Sequence, residues 1–100
     1  MPMTILVRPA NKDERREYLA QIGDSLIVAV DAYGVIVGYC EYKDDTIFLI
    51  ESFVRGTGRV LVDSLPQCVY ADHVLLGAYG FWQKMGFEPW VDKTWRRMLQ

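Results

Sequence analysis

The spacing of apolar positions changes several times along the chain, and each change predicts an element. Ile5 to Arg8 reads as a short strand, which Pro9 ends by removing a ladder donor. Asn11 and Glu14 have the spacing of a capping box. Behind it, Tyr18, Leu19 and Ile22 recur at helical intervals, and Gly23 suits the exit of that helix. Leu26–Val30 and Val35–Tyr42 are rich in β-branched and aromatic residues. Between them Ala32-Tyr33-Gly34 supplies turn chemistry, so the two segments are expected to pair antiparallel. Lys43-Asp44-Asp45 turns the chain into a further strand, Thr46 to Val54. Its apolar residues lie on both faces, predicting a sheet with helices on both sides.

Arg55-Gly56-Thr57-Gly58 interrupts this pattern. From Arg59 to Leu65, Val60, Leu61 and Leu65 return to helical spacing until Pro66 stops the run. Cys68 to Ala71 is short enough for a buried strand. Asp72 is placed to cap a helix from about Val74 to Met85, with Gly86 at its C-terminal exit. Phe87–Val91 and Lys93–Met98 read as two last strands, the second polar enough for a sheet edge.

At 100 residues the chain is long enough for one core and too short for two, so residues 1–100 are read as a single α/β (α+β) domain. A hydrophobic share of 51% against 24% charged residues fits a globular protein rather than a disordered one. The net charge of -2 offers no basic footprint for nucleic acid. The longest apolar stretch, Val74 to Trp82, has about half the ~20 residues needed to cross a bilayer. Met-Pro-Met-Thr at the start has no feature of a signal peptide, and two cysteines make no disulfide framework. A cytoplasmic location is therefore expected. With one histidine, His73, and no Cys-x-x-Cys spacing, no metal is expected either.

A strand that delivers a glycine turn to a helix start points several backbone N–H groups at one place, where anions bind. Arg55 and Arg59 flank the turn and would add guanidinium donors for a diphosphate. The plainer reading is a tight turn that needs glycine for its backbone angles. A dinucleotide fingerprint is a poor fit because Leu61 stands where its third glycine belongs. A P-loop fits no better, because Arg59-Val60 follows Gly58 in place of Lys and Ser or Thr.

Two segments resemble the GNAT superfamily of acyl-CoA N-acyltransferases. Gly56-Thr57-Gly58-Arg59-Val60-Leu61-Val62-Asp63-Ser64-Leu65 is similar to the family's turn and helix that cradle the coenzyme A pyrophosphate. Ala78-Tyr79-Gly80-Phe81-Trp82-Gln83-Lys84-Met85-Gly86-Phe87-Glu88-Pro89 is similar to its second signature. Their order and the surrounding elements extend the resemblance over nearly the whole chain. It implies a mixed, mostly antiparallel central sheet with helices on both faces, and transfer of an acetyl group from acetyl-CoA to a primary amine of a protein or small molecule. Three positions depart from the pattern. Phe53 replaces Gln or Arg before the turn, Leu75 stands where Asn is common, and Trp82 where Tyr is common. With one helix between the first two strands, the resemblance implies an open acceptor pocket, suited to a bulky amine or completed by a second subunit.

Amine attack requires a neutral nucleophile, and a lysine-type ammonium with pKa about 10.4 is almost fully protonated at pH 7. Glu51, near the end of the strand before the turn, is the first candidate base and Glu41 the second; a solvent-facing strand carboxylate is the alternative for Glu51. Tyr79, three residues before Trp82 on the same predicted helix, is the candidate acid for the leaving thiolate, unless both rings serve only packing. His73 is read as a lesser candidate base and Cys40 as a packing residue. Backbone N–H groups at Ser52, Phe53 and Val54 are placed by the resemblance to polarise the thioester. With Arg55, Gly56, Thr57, Gly58, Arg59 and Trp82 they complete the expected acetyl-CoA contacts. Two other readings stay open: a catalytically degenerate domain of this fold that binds coenzyme A or a partner protein, and an unrelated small binding module.

Overall fold

The computed structural model describes residues 4–19 and 24–98; the helix expected to run through Leu19 and Ile22 already ends at Tyr18, with Leu19 in an extended conformation, while Ile22 and Gly23 lie outside the described residues. Strand β1 (Leu6–Pro9) pairs antiparallel with β2 (Ser25–Val30) at a sheet edge. Pro9, opposite Ile27, does not stop the ladder as expected, because Ala10 N–H just after it still donates to Leu26 O at 2.9 Å and an edge strand tolerates the missing donor. Helix α1 (Lys12–Tyr18) lies between them in sequence and begins with the capping box: Glu14 N–H donates to Asn11 Oδ1 and Asn11 N–H to Glu14 Oε1, both at 2.9 Å. Arg8 adds a two-pronged ion pair to Glu14 at 2.7 and 2.8 Å. That pair, with the Asn11 N–H, holds the Glu14 carboxyl down to about 2.

From β2 the chain turns at Asp31, whose carboxylate accepts from the N–H groups of Tyr33 and Val35 at 2.9 and 3.0 Å. It returns as β3 (Ile36–Lys43), and β4 (Thr46–Ser52) follows antiparallel to it. Successive side chains of β3 face opposite ways. Tyr39 stacks on Tyr18 of α1, with ring centroids 4.6 Å apart, while Gly38 lies against Thr57 and Leu61 of helix α2 (Thr57–Asp63). The expected helices therefore cover opposite faces of the sheet. Beneath α2, Leu61 and Val62 join Ile27, Ala29, Cys40 and Ile47 in the main core.

The second half of the sheet is joined to the first by a short parallel seam. Strand β5 (Tyr70–Ala71) pairs with β4 only at Thr46↔Tyr70 and Ile47↔Ala71. The last strands, β6 (Glu88–Val91) and β7 (Thr94–Arg96), form a hairpin inserted so that the full order is β1-β2-β3-β4-β5-β7-β6. The final strand is thus interior, contrary to its polar composition; β6, exposed throughout, is the edge. Trp95 explains the difference, since its buried indole anchors β7 beside Ala71.

The helix expected over Val74 to Met85 is shorter than its apolar pattern suggests. Asp72 does not cap it but accepts a 3.0 Å hydrogen bond from Thr94, and Val74 N–H donates to Lys93 as a strand would. A 3-10 turn at Leu76–Ala78 leads into helix α3 (Tyr79–Lys84). Gly77 and Gly80 weaken the helical preference of this segment, so tertiary pairing takes its first residues. Its end follows the expectation. Gly86 (φ +89) closes a Schellman motif in which Phe87 N–H donates to Trp82 and Gly86 N–H to Gln83. No helix among the described residues is long and apolar enough to cross a membrane.

Candidate active site

The site is built where the parallel seam stops. The register of β4 against β3 passes from Ile47↔Tyr42 to Leu49↔Glu41, leaving Phe48 as a bulge with no partner across the ladder. Asp72 N–H donates to Ile47 O at 2.9 Å, the last link from the β5 side, and β4 runs on to Ser52 without a neighbour there. Phe53 N–H donates to Val37 O at 2.8 Å, toward β3. By strand alternation the N–H groups of Ile50 and Ser52 then point the other way, into the opening between β4 and β5. Of the backbone donors expected to polarise a thioester, Phe53 is therefore excluded by its bond to Val37. Ser52 keeps the required direction.

Past this opening the chain reaches the glycine turn. Ser52 Oγ donates to Val54 O at 2.8 Å and Thr57 N–H to the same carbonyl at 3.1 Å. Gly56 takes the left-handed angle φ +92 and is the N-cap residue, so α2 begins at Thr57, earlier than the expected Arg59. Gly58 consequently sits in the first helical turn, and a side-chain carbon there would lie 2.8 Å from Phe81 Cε1. Among the described residues no carbonyl accepts from the N–H groups of Gly58 or Arg59. The Arg55 and Arg59 side chains are exposed beside them. Thr57 is fully buried, and its hydroxyl has no hydrogen-bond partner.

Glu51 stands opposite Tyr39, on the sheet face covered by α1, and is exposed. Glu41 shares that face, opposite Leu26 and Leu49, at 0% exposure. Tyr79 is 39% exposed with its ring centroid 4.9 Å from that of Trp95. Trp82 is buried, meeting Phe81 and Phe87 edge-on with both centroids at 5.0 Å. The shared helix face expected for Tyr79 and Trp82 thus separates into an accessible phenol and an interior indole. The ring that backs the glycine turn is Phe81, which the motif comparison passed over. His73 lies exposed at a bend with φ +57. Burial pushes the Cys40 thiol far above its usual range, in keeping with a packing role. Sequence reasoning also missed an aromatic group on the α1 face: Phe53 lies 5.9 Å from Tyr39, which in turn stacks on Tyr18. Its members come from a helix, a strand and a loop, so no local spacing joins them.

As a sequence, the chain matches no family model and no curated protein. As a structure, it is similar to a crystal structure of an acetyltransferase of the GNAT family from Staphylococcus aureus Mu50. The TM-score is 0.62 at 14% sequence identity, over 97% of this chain and 100% of that one. With both chains covered nearly end to end, and with a mostly antiparallel seven-stranded sheet carrying helices on both faces, the chain has a GNAT-like fold.

Proposed function

We propose that the protein is an N-acetyltransferase that moves the acetyl group of acetyl-CoA to a primary amine. The observation that carries this reading is the continuity of the opening between β4 and β5 with the turn Arg55–Arg59. A strand edge with unpartnered donors leads straight to a helix start with two unpartnered N–H groups and two exposed arginines. Such a path suits a thioester at one end and a diphosphate at the other. Ser52, Val54, Arg55, Gly56, Gly58 and Arg59 are its coenzyme-facing residues, while Thr57, buried with its N–H given to Val54 O, supports the turn from behind.

In this mechanism the Glu51 carboxylate takes a proton from the acceptor ammonium, directly or through one water, so that nitrogen attacks the thioester carbonyl with its lone pair. The Ser52 N–H faces the carbonyl oxygen as negative charge collects there. When the carbon–sulfur bond breaks, the sulfur keeps the electron pair and takes a proton from the Tyr79 hydroxyl, while the nitrogen gives its remaining extra proton through water to the Tyr79 phenolate. The products are an acetamide and the free thiol. Because Trp82 is interior and its indole is no acid, the alternative of a coenzyme-binding domain without transfer remains the competing reading.

Calorimetric titration with acetyl-CoA, followed by an assay of thiol release with a panel of amines, separates the two. The test variant is Arg55→Glu with Arg59→Glu, since both side chains are exposed while Gly58 is held against Phe81. Micromolar binding that weakens at least tenfold in the double variant is the expected result. Glu51→Gln should then slow transfer by about 10²–10⁴-fold while leaving binding in place. A folded protein that binds no acetyl-CoA would overturn the reading.

A further inference from the structure

An aromatic group on the α1 face lies at the rim of the candidate site. Tyr39 is its centre, stacked on Tyr18 at 4.6 Å with planes inclined by 29°, and flanked on β4 by Phe53 at 5.9 Å and 54°. Val28, opposite Tyr39 on β2, is fully buried. Phe53 nevertheless leaves 57% of its surface in solvent, a large hydrophobic exposure at the rim of the candidate site. Glu51 lies opposite Tyr39 and two residues before Phe53, which puts its carboxylate beside these rings on the same face.

Two carboxylates act on the central ring. Desolvation raises the Tyr39 phenol above its ordinary range, and the negative charges of Glu51 and Glu41 raise it further. Tyr18 is raised by desolvation and by Glu17 and Glu14. The carboxylates thus make an approaching anion unwelcome and a cation welcome. Ring faces with a neighbouring carboxylate suit an ammonium group, which is attracted to the π-system and paired by the acid.

Resting on the transferase reading, we infer that the aromatic group Tyr18–Tyr39–Phe53 with Glu51 is the acceptor subsite, and that it takes a primary alkylammonium on an extended aliphatic chain. The rings hold the methylene stem and the charged head, and Glu51 faces the head that must lose its proton. The aliphatic class follows from the geometry. Tyr39 already has one ring face stacked on Tyr18, and the remaining exposed rim is open, so a slim flexible chain fits along it without an enclosing pocket.

The test needs no coenzyme, so its outcome is independent of acetyl-CoA binding. Aromatic proton–carbon NMR spectra of the whole protein are followed during titration with n-pentylammonium, and again with 1-pentanol as the uncharged chain of similar length. Shifts at Phe53 and Tyr39 that saturate with the ammonium, and at least fivefold weaker binding of the alcohol, are expected. Phe53→Leu, at an exposed position, should weaken the ammonium by about two- to fivefold, the range for a cation on an exposed ring. Glu51→Gln should weaken it by a similar factor. Equal binding of ammonium and alcohol would overturn the inference by leaving only an apolar patch. Shifts that track protein concentration without either ligand would overturn it in favour of a contact between two copies. Coenzyme binding with no ammonium response would overturn it while leaving the transferase reading standing.

Discussion

Thr57, the first residue of α2, rests directly on Gly38 of β3: a side-chain carbon on Gly38 would lie 2.7 Å from Thr57 Cγ2 and 2.8 Å from the Glu51 carbonyl oxygen. The absence of a side chain at Gly38 sets how closely the glycine turn approaches the sheet. Gly38→Ala must move either the helix or the β4 backbone, neither of which is a flexible tip. The expected loss is about 1–3 kcal/mol of stability, read from the urea midpoint at unchanged slope, together with weaker acetyl-CoA binding because the turn is displaced.

Gly80 presents the opposite case. It lies exposed inside α3, and an added side-chain carbon would meet nothing within 4 Å. Gly80→Ala should raise stability by about 0.5–1 kcal/mol by favouring the helical backbone, seen as a higher urea midpoint.

The ion pair at the start of α1 makes stability depend on acidity. Glu14 titrates near 4.5 without its partners and at about 2 with the Arg8 guanidinium and the Asn11 N–H in place. A depressed carboxyl stabilises the fold fully above the higher value, and the contribution disappears as the pH falls toward the lower one. Urea midpoints measured between pH 5 and pH 2 should therefore fall, and Glu14→Gln should flatten that fall. An unchanged slope in the variant would show that other carboxyls dominate.

The two thiols should be inert in the folded protein. Burial pushes Cys68 up to about 11 and Cys40 higher, and the Cys68 Sγ also donates to Asp44 O at 3.5 Å. A thiol reagent at pH 8 should modify neither at a measurable rate until denaturant is added. Fast labelling in buffer would show that the core opens locally.

Local signals made the start of the first helix and the early hairpins readable. Asn11 and Glu14 act through bonds within one turn, and the turn before Val35 is closed by Asp31 a few residues away. The glycine turn was also visible as a break in period, although its helix begins at Thr57 because Gly56 can take a positive φ. What escaped depends on distant partners. The Phe48 bulge exists only relative to β3, and the interior position of the last strand depends on Trp95 packing beside Ala71. Trp82 and Tyr79 share a spacing, yet Phe87 and Trp95 draw their rings to different surroundings. No periodicity in α3 records which neighbour waits on each side.

The seam between β4 and β5 gives the molecule a mechanical character of its own. Two rungs, Thr46↔Tyr70 and Ile47↔Ala71, suture an antiparallel block of four strands to a smaller block of three. Amides on either side can then exchange with solvent as separate cooperative units, the smaller block opening first. A molecule wedged into the gap touches both blocks at once and acts as a rivet. Its binding energy would appear as slower exchange in β6 and β7, beyond the residues it touches, merging two unfolding units into one.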